Sequence, residues 1–425
     1  TVAKKGYTEN LEPVPSDWTP PAADVARGPK APWSYLLKPT QKGEVHVQAR
    51  GKELFIAAGY HGVRFHFGLE AIMLCVSLED FLALTAKDCP GPSKDKTRAA
   101  KMRSFRVPER FYVPGSVDGG DRRINIFAAI VCDDCAFIAL DFSRMIHMHV
   151  ISLDRFWTAD DLQPGSSLWP ELWDVSHGPD WIDEHEAALA SLEEWRLQML
   201  KQDTQRPIVQ QLCSAQFVFN GFGMHLANDF LFSLAFWPGT PASVICANDE
   251  LFNTLKNAIQ PFMTQWVSSK YRKRVCSNAN TSNPLVDHNH SYLNFVNQYV
   301  HVYRRQEVRV PTELYNCMVL SGLLDEAYTI SFDLKYELPS TDKLTTRSFK
   351  KLPVFKYRAG SFGMFYSVIR AQRPDDWSWA FNGILAKELK HAGYQTTLGP
   401  AEFRNNKENK LDPKRHGHAG RRKKV

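Results

Sequence analysis

The chain has 425 residues, 44% of them hydrophobic, 12% aromatic and 23% charged. That composition excludes wholesale disorder, collagen-like repeats and a disulfide-dense miniprotein, and the length predicts two or three domains. The formal charge of +6 is unevenly placed: Arg404 to Val425 carries nine basic and two acidic residues, so the other 403 residues sum to −1.

Residues 1–43 hold prolines at 13, 15, 20, 21, 29, 32 and 39 and read as an extended N-terminal arm. A β-rich segment over 44–153 follows. Val45-His-Val-Gln, Leu54-Phe-Ile-Ala and Val63-Arg-Phe-His-Phe alternate between glycines as a strand meander. Leu69 to Leu84 fits a mostly buried helix, and 94–110 is a basic loop. Ile124 to Ile151 returns to β structure.

The segment 154–327 is predominantly helical. Asp154 to Asp203 carries twelve acidic and three basic residues, and Trp181 to Lys201 within it shows an apolar stripe of Ile182, Leu189, Leu192, Trp195 and Met199. Residues 207–247 are ambiguous between helix and strand. Asn248 reads as the N-cap of a helix running to about Tyr271, with Pro261 inside it, and another helix follows Pro311.

In 328–403, an α+β segment, Ile330 to Leu338 alternates as a strand. Strands near Val354–Tyr357 and Met364–Ile369 precede a last helix from about Asp376 to His391. The basic tail is 404–425. The fold class expected is therefore α+β, irregular mixed helices and antiparallel strands, with an extended arm and a basic tail.

The cysteines sit mostly in apolar runs, as suits a reducing compartment. The start of the chain shows no apolar signal-peptide core, and no stretch fits a membrane span. Cys132-Asp-Asp-Cys135 has metal or redox spacing but lacks a second ligand pair, and reads as two hairpin cysteines. His147/His149 on a strand and His288/His290 beside Asp287 could contribute imidazoles to a metal, yet neither segment supplies a full ligand set. Ser361, in Ala-Gly-Ser-Phe-Gly, has too little chain after it for a hydrolase, and no nucleotide-binding or catalytic motif appears. No cofactor, small-molecule substrate or catalytic residue is inferred, and a non-enzymatic protein is expected.

Basic–aromatic clusters remain: Lys270-Tyr271-Arg272-Lys273-Arg274, Arg304-Arg305, Lys350-Lys351, and the tail run Arg421-Arg422-Lys423-Lys424. Cations meet phosphate and aromatic faces stack unpaired bases, so RNA is the partner expected, with those thirteen residues as the contact set. A Pro-rich arm, an acidic block and a basic tail together suggest a self-assembling coat or nucleocapsid subunit. That reading implies a virion or host-cytoplasm location, a large homo-oligomer and no membrane. A ribonucleoprotein subunit, such as an organellar ribosomal protein, and a metal-dependent enzyme with a dispersed site are the alternatives. The tail run could alternatively be a nuclear address.

Overall fold

The computed structural model describes residues 42–67, 71–86, 88–89, 104–108, 110, 123–141, 145–202, 205–276, 295, 298–324, 334–336, 347–359, 363–369 and 384–385. These fall into two compact units, one reaching to Leu172 and one from Trp173 onward. Helices and antiparallel strands mix irregularly, as the α+β expectation holds. The tail, the arm except residues 42 and 43, the histidine pair His288/His290, Ser361 and the run Arg421–Lys424 lie outside the described residues.

In the first unit β1 (Val45–Arg50), β2 (Glu53–Ala58) and β3 (His61–His66) form the expected meander. Next along the chain come β4 (Ile72–Ser77), α1 (Leu78–Thr85), β5 (Asp88–Cys89), β6 (Ser104–Arg106) and β7 (Arg123–Ile124). Then β8 (Ile126–Val131), β9 (Cys135–Leu140) and β10 (His147–Ser152) occupy the second β region. The sheets run β1-β2-β3-β10, β4-β9-β8 and β5-β6-β7. Leu69 to Leu84 is thus not one helix. Its first half is β4, because an apolar run of six residues fits a buried strand as well as a helix and β9 is there to pair with it. Ser77 then caps α1 by accepting the Asp80 N–H at 3.1 Å.

Strand period places Leu54, Ile56, Val63, Phe65, Met148 and Val150 on one face of the first sheet, and the first five enter an apolar cluster. On the opposite face Phe55 is fully buried against Trp157, with ring centroids 5.2 Å apart. Gly62 leaves the room this needs, since a Cβ there would stand 2.2 Å from the Phe55 ring. His61 points to the apolar side and hydrogen-bonds Ser152 Oγ at 2.8 Å. Burial pushes its imidazole down to about 4.

The sign follows from linkage. A histidine whose folded value is depressed contributes its full share of stability above the unfolded value of 6.5 and loses it as pH falls toward the folded one. Moving from pH 7 to pH 5 is expected to cost about 1–2 kcal/mol through this one residue. Urea unfolding of the wild type and of His61→Gln at both pH values checks it. An equal loss in both proteins would assign the acid sensitivity elsewhere.

A short helix, α2 (Trp169–Leu172), ends the first unit. The second unit is built on α3 (His185–Gln202), α4 (Ile208–Ser214), α5 (Met224–Ser233), α6 (Ala242–Ala247) and α7 (Asp249–Thr264). So 207–247, ambiguous in sequence, forms three helices joined by turns rather than strands. The stripe on α3 buries Ala188, Leu192, Trp195 and Met199, with Ile182 and Leu189 half-buried at its margin. Asn248 caps α7, its Oδ1 accepting from the N–H groups of Glu250 and Leu251 at 3.0 Å each. The helix ends at Thr264, short of Tyr271; a 3-10 turn intervenes before α8 (Ser269–Tyr271).

Beyond these, β11 (Glu307–Pro311) leads into α9 (Thr312–Leu320), the helix expected after Pro311. Then β12 (Leu334–Tyr336), β13 (Arg347–Pro353), β14 (Phe355–Ala359), β15 (Gly363–Ser367) and β16 (Ile384–Leu385) form two small antiparallel sheets, β11-β13-β12 and β15-β14-β16. The helix expected over 376–391 is contradicted at 384–385. There the backbone pairs with Phe355 and Lys356 of β14, and that strand pairing overrides helical periodicity.

Candidate nucleic-acid interface

Two polar residues side by side in the middle of α5, Asn228 and Asp229, are fully buried. Such groups persist in a core only when their hydrogen bonds are made. Asn228 Oδ1 accepts the Tyr366 N–H at 2.7 Å, tying α5 to β15. Asp229 accepts three consecutive backbone N–H groups, those of His301, Val302 and Tyr303, at 2.8, 2.8 and 3.0 Å. His225 Nε2, one turn back on α5, lies 3.0 Å from the same carboxylate. Burial alone would raise the Asp229 carboxyl, but His225, His301 and the backbone donor of His301 outweigh it and hold it below the usual range. The His301 imidazole is pushed down by burial, against the pull of Asp229.

This anchor fixes the segment 298–305. Just beyond it Arg304 adopts φ 54°, a left-handed conformation that a non-glycine residue takes only when its surroundings impose it. Its guanidinium stands 5.5 Å from the Tyr303 ring centroid.

Alongside runs the turn formed by α8 and a π-helical stretch, Arg272–Cys276. Tyr271 meets Tyr299 edge-on at 4.8 Å and Trp266 at 5.3 Å, while Arg274 hydrogen-bonds Gln298. The aromatics therefore brace the two segments against each other. Tyr271, expected to stack a base, is half-buried and spends its ring on its neighbours. Lys270, Arg272, Lys273 and Arg304 are exposed, and Arg274 and Arg305 half-buried. Six cations thus come from two adjoining segments, 265–276 and 298–306, which contain no carboxylate.

Lys350 and Lys351 stand on β13, which pairs with β11 directly after the second of these segments. Lys350 lies 5.9 Å from the Tyr315 ring centroid, and Lys351 pairs with Glu307 of the adjacent β11, which offsets its charge. The sequence reading missed Asn228 and Asp229. Their one signal was a pair of polar residues inside an otherwise apolar helix.

His147, on β10, stands directly across from His66, with ring centroids 6.2 Å apart, and His149 stands across from Arg64. Arg64 in turn pairs with the buried Glu53 at 3.3 Å. A guanidinium beside the imidazoles and already holding the carboxylate disfavours a cation. Among the described residues no group of three or more His, Cys, Asp or Glu side chains could hold a metal ion. Cys132 and Cys135 do flank a hairpin turn, between β8 and β9. Among the described residues no helix is long and apolar enough to cross a membrane.

No protein-family description matches the sequence, and no curated protein does. Solved structures similar to the chain include MutM in complex with DNA containing carbocyclic 8-oxo-G, at 14% identity over 52% of this chain and 61% of that one, TM-score 0.33. Wild-type Lactococcus lactis Fpg (MutM) with DNA containing an oxidised pyrimidine shares 14% identity over 72% and 79%, TM-score 0.36. The MutM (Fpg) protein of Thermus thermophilus shares 18% over 57% and 65%, TM-score 0.32. The chain spans about three fifths of the first of these. At these TM-scores the likeness transfers neither a residue role nor an activity.

These neighbours are DNA glycosylases, with DNA in two of the three structures, where a coat protein with RNA was expected. The sequence expectation is corrected on that finding: the non-enzymatic coat or nucleocapsid subunit, its ribonucleoprotein and dispersed-metal alternatives, RNA and a large homo-oligomer as partners, and the virion location are all set aside. The expectation rests on a proline-rich arm, an acidic block and a basic tail, features of composition that specify no particular partner.

Proposed function

We propose that the second unit binds the phosphate backbone of DNA on the ridge formed by Lys270, Arg272, Lys273, Arg274, Arg304 and Arg305. The observation that carries this reading is the juxtaposition of six cations, without a carboxylate, on two segments locked together by Tyr271–Tyr299 and Arg274–Gln298. Cations held at fixed spacing release counterions when phosphate replaces them, and this supplies affinity without base sequence. Lys350 and Lys351 of β13 and, in sequence, the tail run Arg421–Lys424 add further cations outside these two segments.

The test uses the full chain and a single-stranded DNA oligonucleotide at 0.1 M salt. Each single-strand phosphate contact is worth roughly 0.7 of a decade at that concentration, so K270A/R272A/K273A is expected to weaken binding about 100-fold. Affinity within threefold of the wild type would place the contact elsewhere.

A further inference from the structure

The two-residue turn Asp133-Asp134 joins β8 to β9, with the Cys132 N–H donating to the Cys135 carbonyl at 2.8 Å. That bond sets Cys132 opposite Cys135, on the same face of the sheet. On the other side of β9 runs β4, in which Ser77 pairs with Cys135 and Cys75 with Phe137. Strand period then brings Cys75 to the same face as Ser77, Cys135 and Cys132. Three of the chain's eight cysteines, distant in sequence, therefore share one corner of one sheet. The Cys75 thiol and Asp134 both stand close enough to Cys135 to bear on its proton. Cys75 is exposed, and Cys132 and Cys135 are half-buried, so an external reagent reaches Cys75 first.

We propose that this corner is a redox-modification site, in which Cys75 is the entry thiol for a low-molecular-weight disulfide and Cys135 resolves the adduct. The Cys75 thiolate attacks one sulfur of the disulfide RS–SR, forming a Cys75–S–SR bond and releasing one thiolate RS⁻. Cys135, losing its proton to water, then attacks the Cys75 sulfur and expels the second RS⁻. Two protein thiols are oxidised to one disulfide and RS–SR is reduced to two thiols, so atoms and electrons balance.

Desolvation first, and then the adjacent Cys75 thiol, push the Cys135 thiol up to about 12, so it stays protonated at neutral pH and does not react ahead of the entry step. A disulfide here closes β4 onto β9 beside the start of α1, where the Leu78 N–H already donates to the Asp134 carbonyl at 2.9 Å.

The folded full chain is treated with oxidised glutathione, its remaining thiols are alkylated, and the linked peptides are mapped by mass. The expected product is a Cys75–Cys135 bond, reversed by dithiothreitol, while Cys317, exposed on α9, serves as the reference for an exposed thiol. In Cys135→Ser, glutathione is expected to stay on Cys75. Two results would overturn the assignment. One is a wild type in which Cys75 is alkylated as fully as Cys317 and no linked peptide forms. The other is a Cys132–Cys135 bond with glutathione left on Cys75.

Discussion

Asp229→Ala is expected to destabilise the second unit by about 3–5 kcal/mol, measured by urea unfolding. The substitution strips the acceptor from three backbone N–H groups and the partner from His225. Buried donors left unsatisfied cost roughly 1–3 kcal/mol each, and an uncompensated buried partner adds to that, although local relaxation and water entry keep the sum below the simple total. Asp229→Asn keeps one acceptor oxygen and is expected to lose less.

The pH dependence has a definite sign. A carboxylate held below its usual range contributes stability that is full above about 4 and is lost as pH falls through its folded value. The wild type should therefore lose this contribution only below about pH 4, and Asp229→Asn should lack that acid limb. If Asp229→Ala unfolds at the wild-type urea concentration, the carboxylate is not the anchor of the 301–303 segment.

The second large effect is in the core. Trp195 is fully buried, edge-on to Phe219 at 5.0 Å, with its Nε1 directed at Gln211 Oε1 at 3.5 Å. Trp195→Ala leaves a cavity where α3 meets the 215–223 loop, and the loss of a large aromatic there is expected to cost about 3–5 kcal/mol. Just before it in the chain, Glu194 is exposed and Glu193, half-buried, meets Lys256 of α7 at 2.6 Å. Replacing Glu194 by Gln should change stability by less than about 0.5 kcal/mol. The contrast separates the stripe, which folds the helix, from its acidic outer face.

What was legible in sequence was what local chemistry decides. The stripe on α3, the Asn248 cap and the alternation of β1 to β3 are written in neighbouring residues. Ile72–Ser77 and Ile384–Leu385 were misread because a short apolar run serves helix and strand alike, and only the partners β9 and β14 decide. Asn228 and Asp229 were illegible for a related reason. In a helical reading they resemble a solvent face, yet their partners are backbone groups more than seventy residues away in sequence. The cationic runs 270–274 and 304–305 were each visible. Their adjacency was not, since it depends on Tyr271 meeting Tyr299 and on Asp229 fixing the loop between them.

The central claim is that one ridge of six cations contacts phosphate, and the slope of log affinity against log salt tests it most directly. The full chain and a variant with all six residues replaced by alanine are titrated with the same single-stranded DNA from 0.05 to 0.3 M salt, both retaining the basic tail. The wild-type slope is predicted to be steeper by about 4, from roughly 0.7 per phosphate contact. Equal slopes in a folded variant would contradict the ridge as the binding surface.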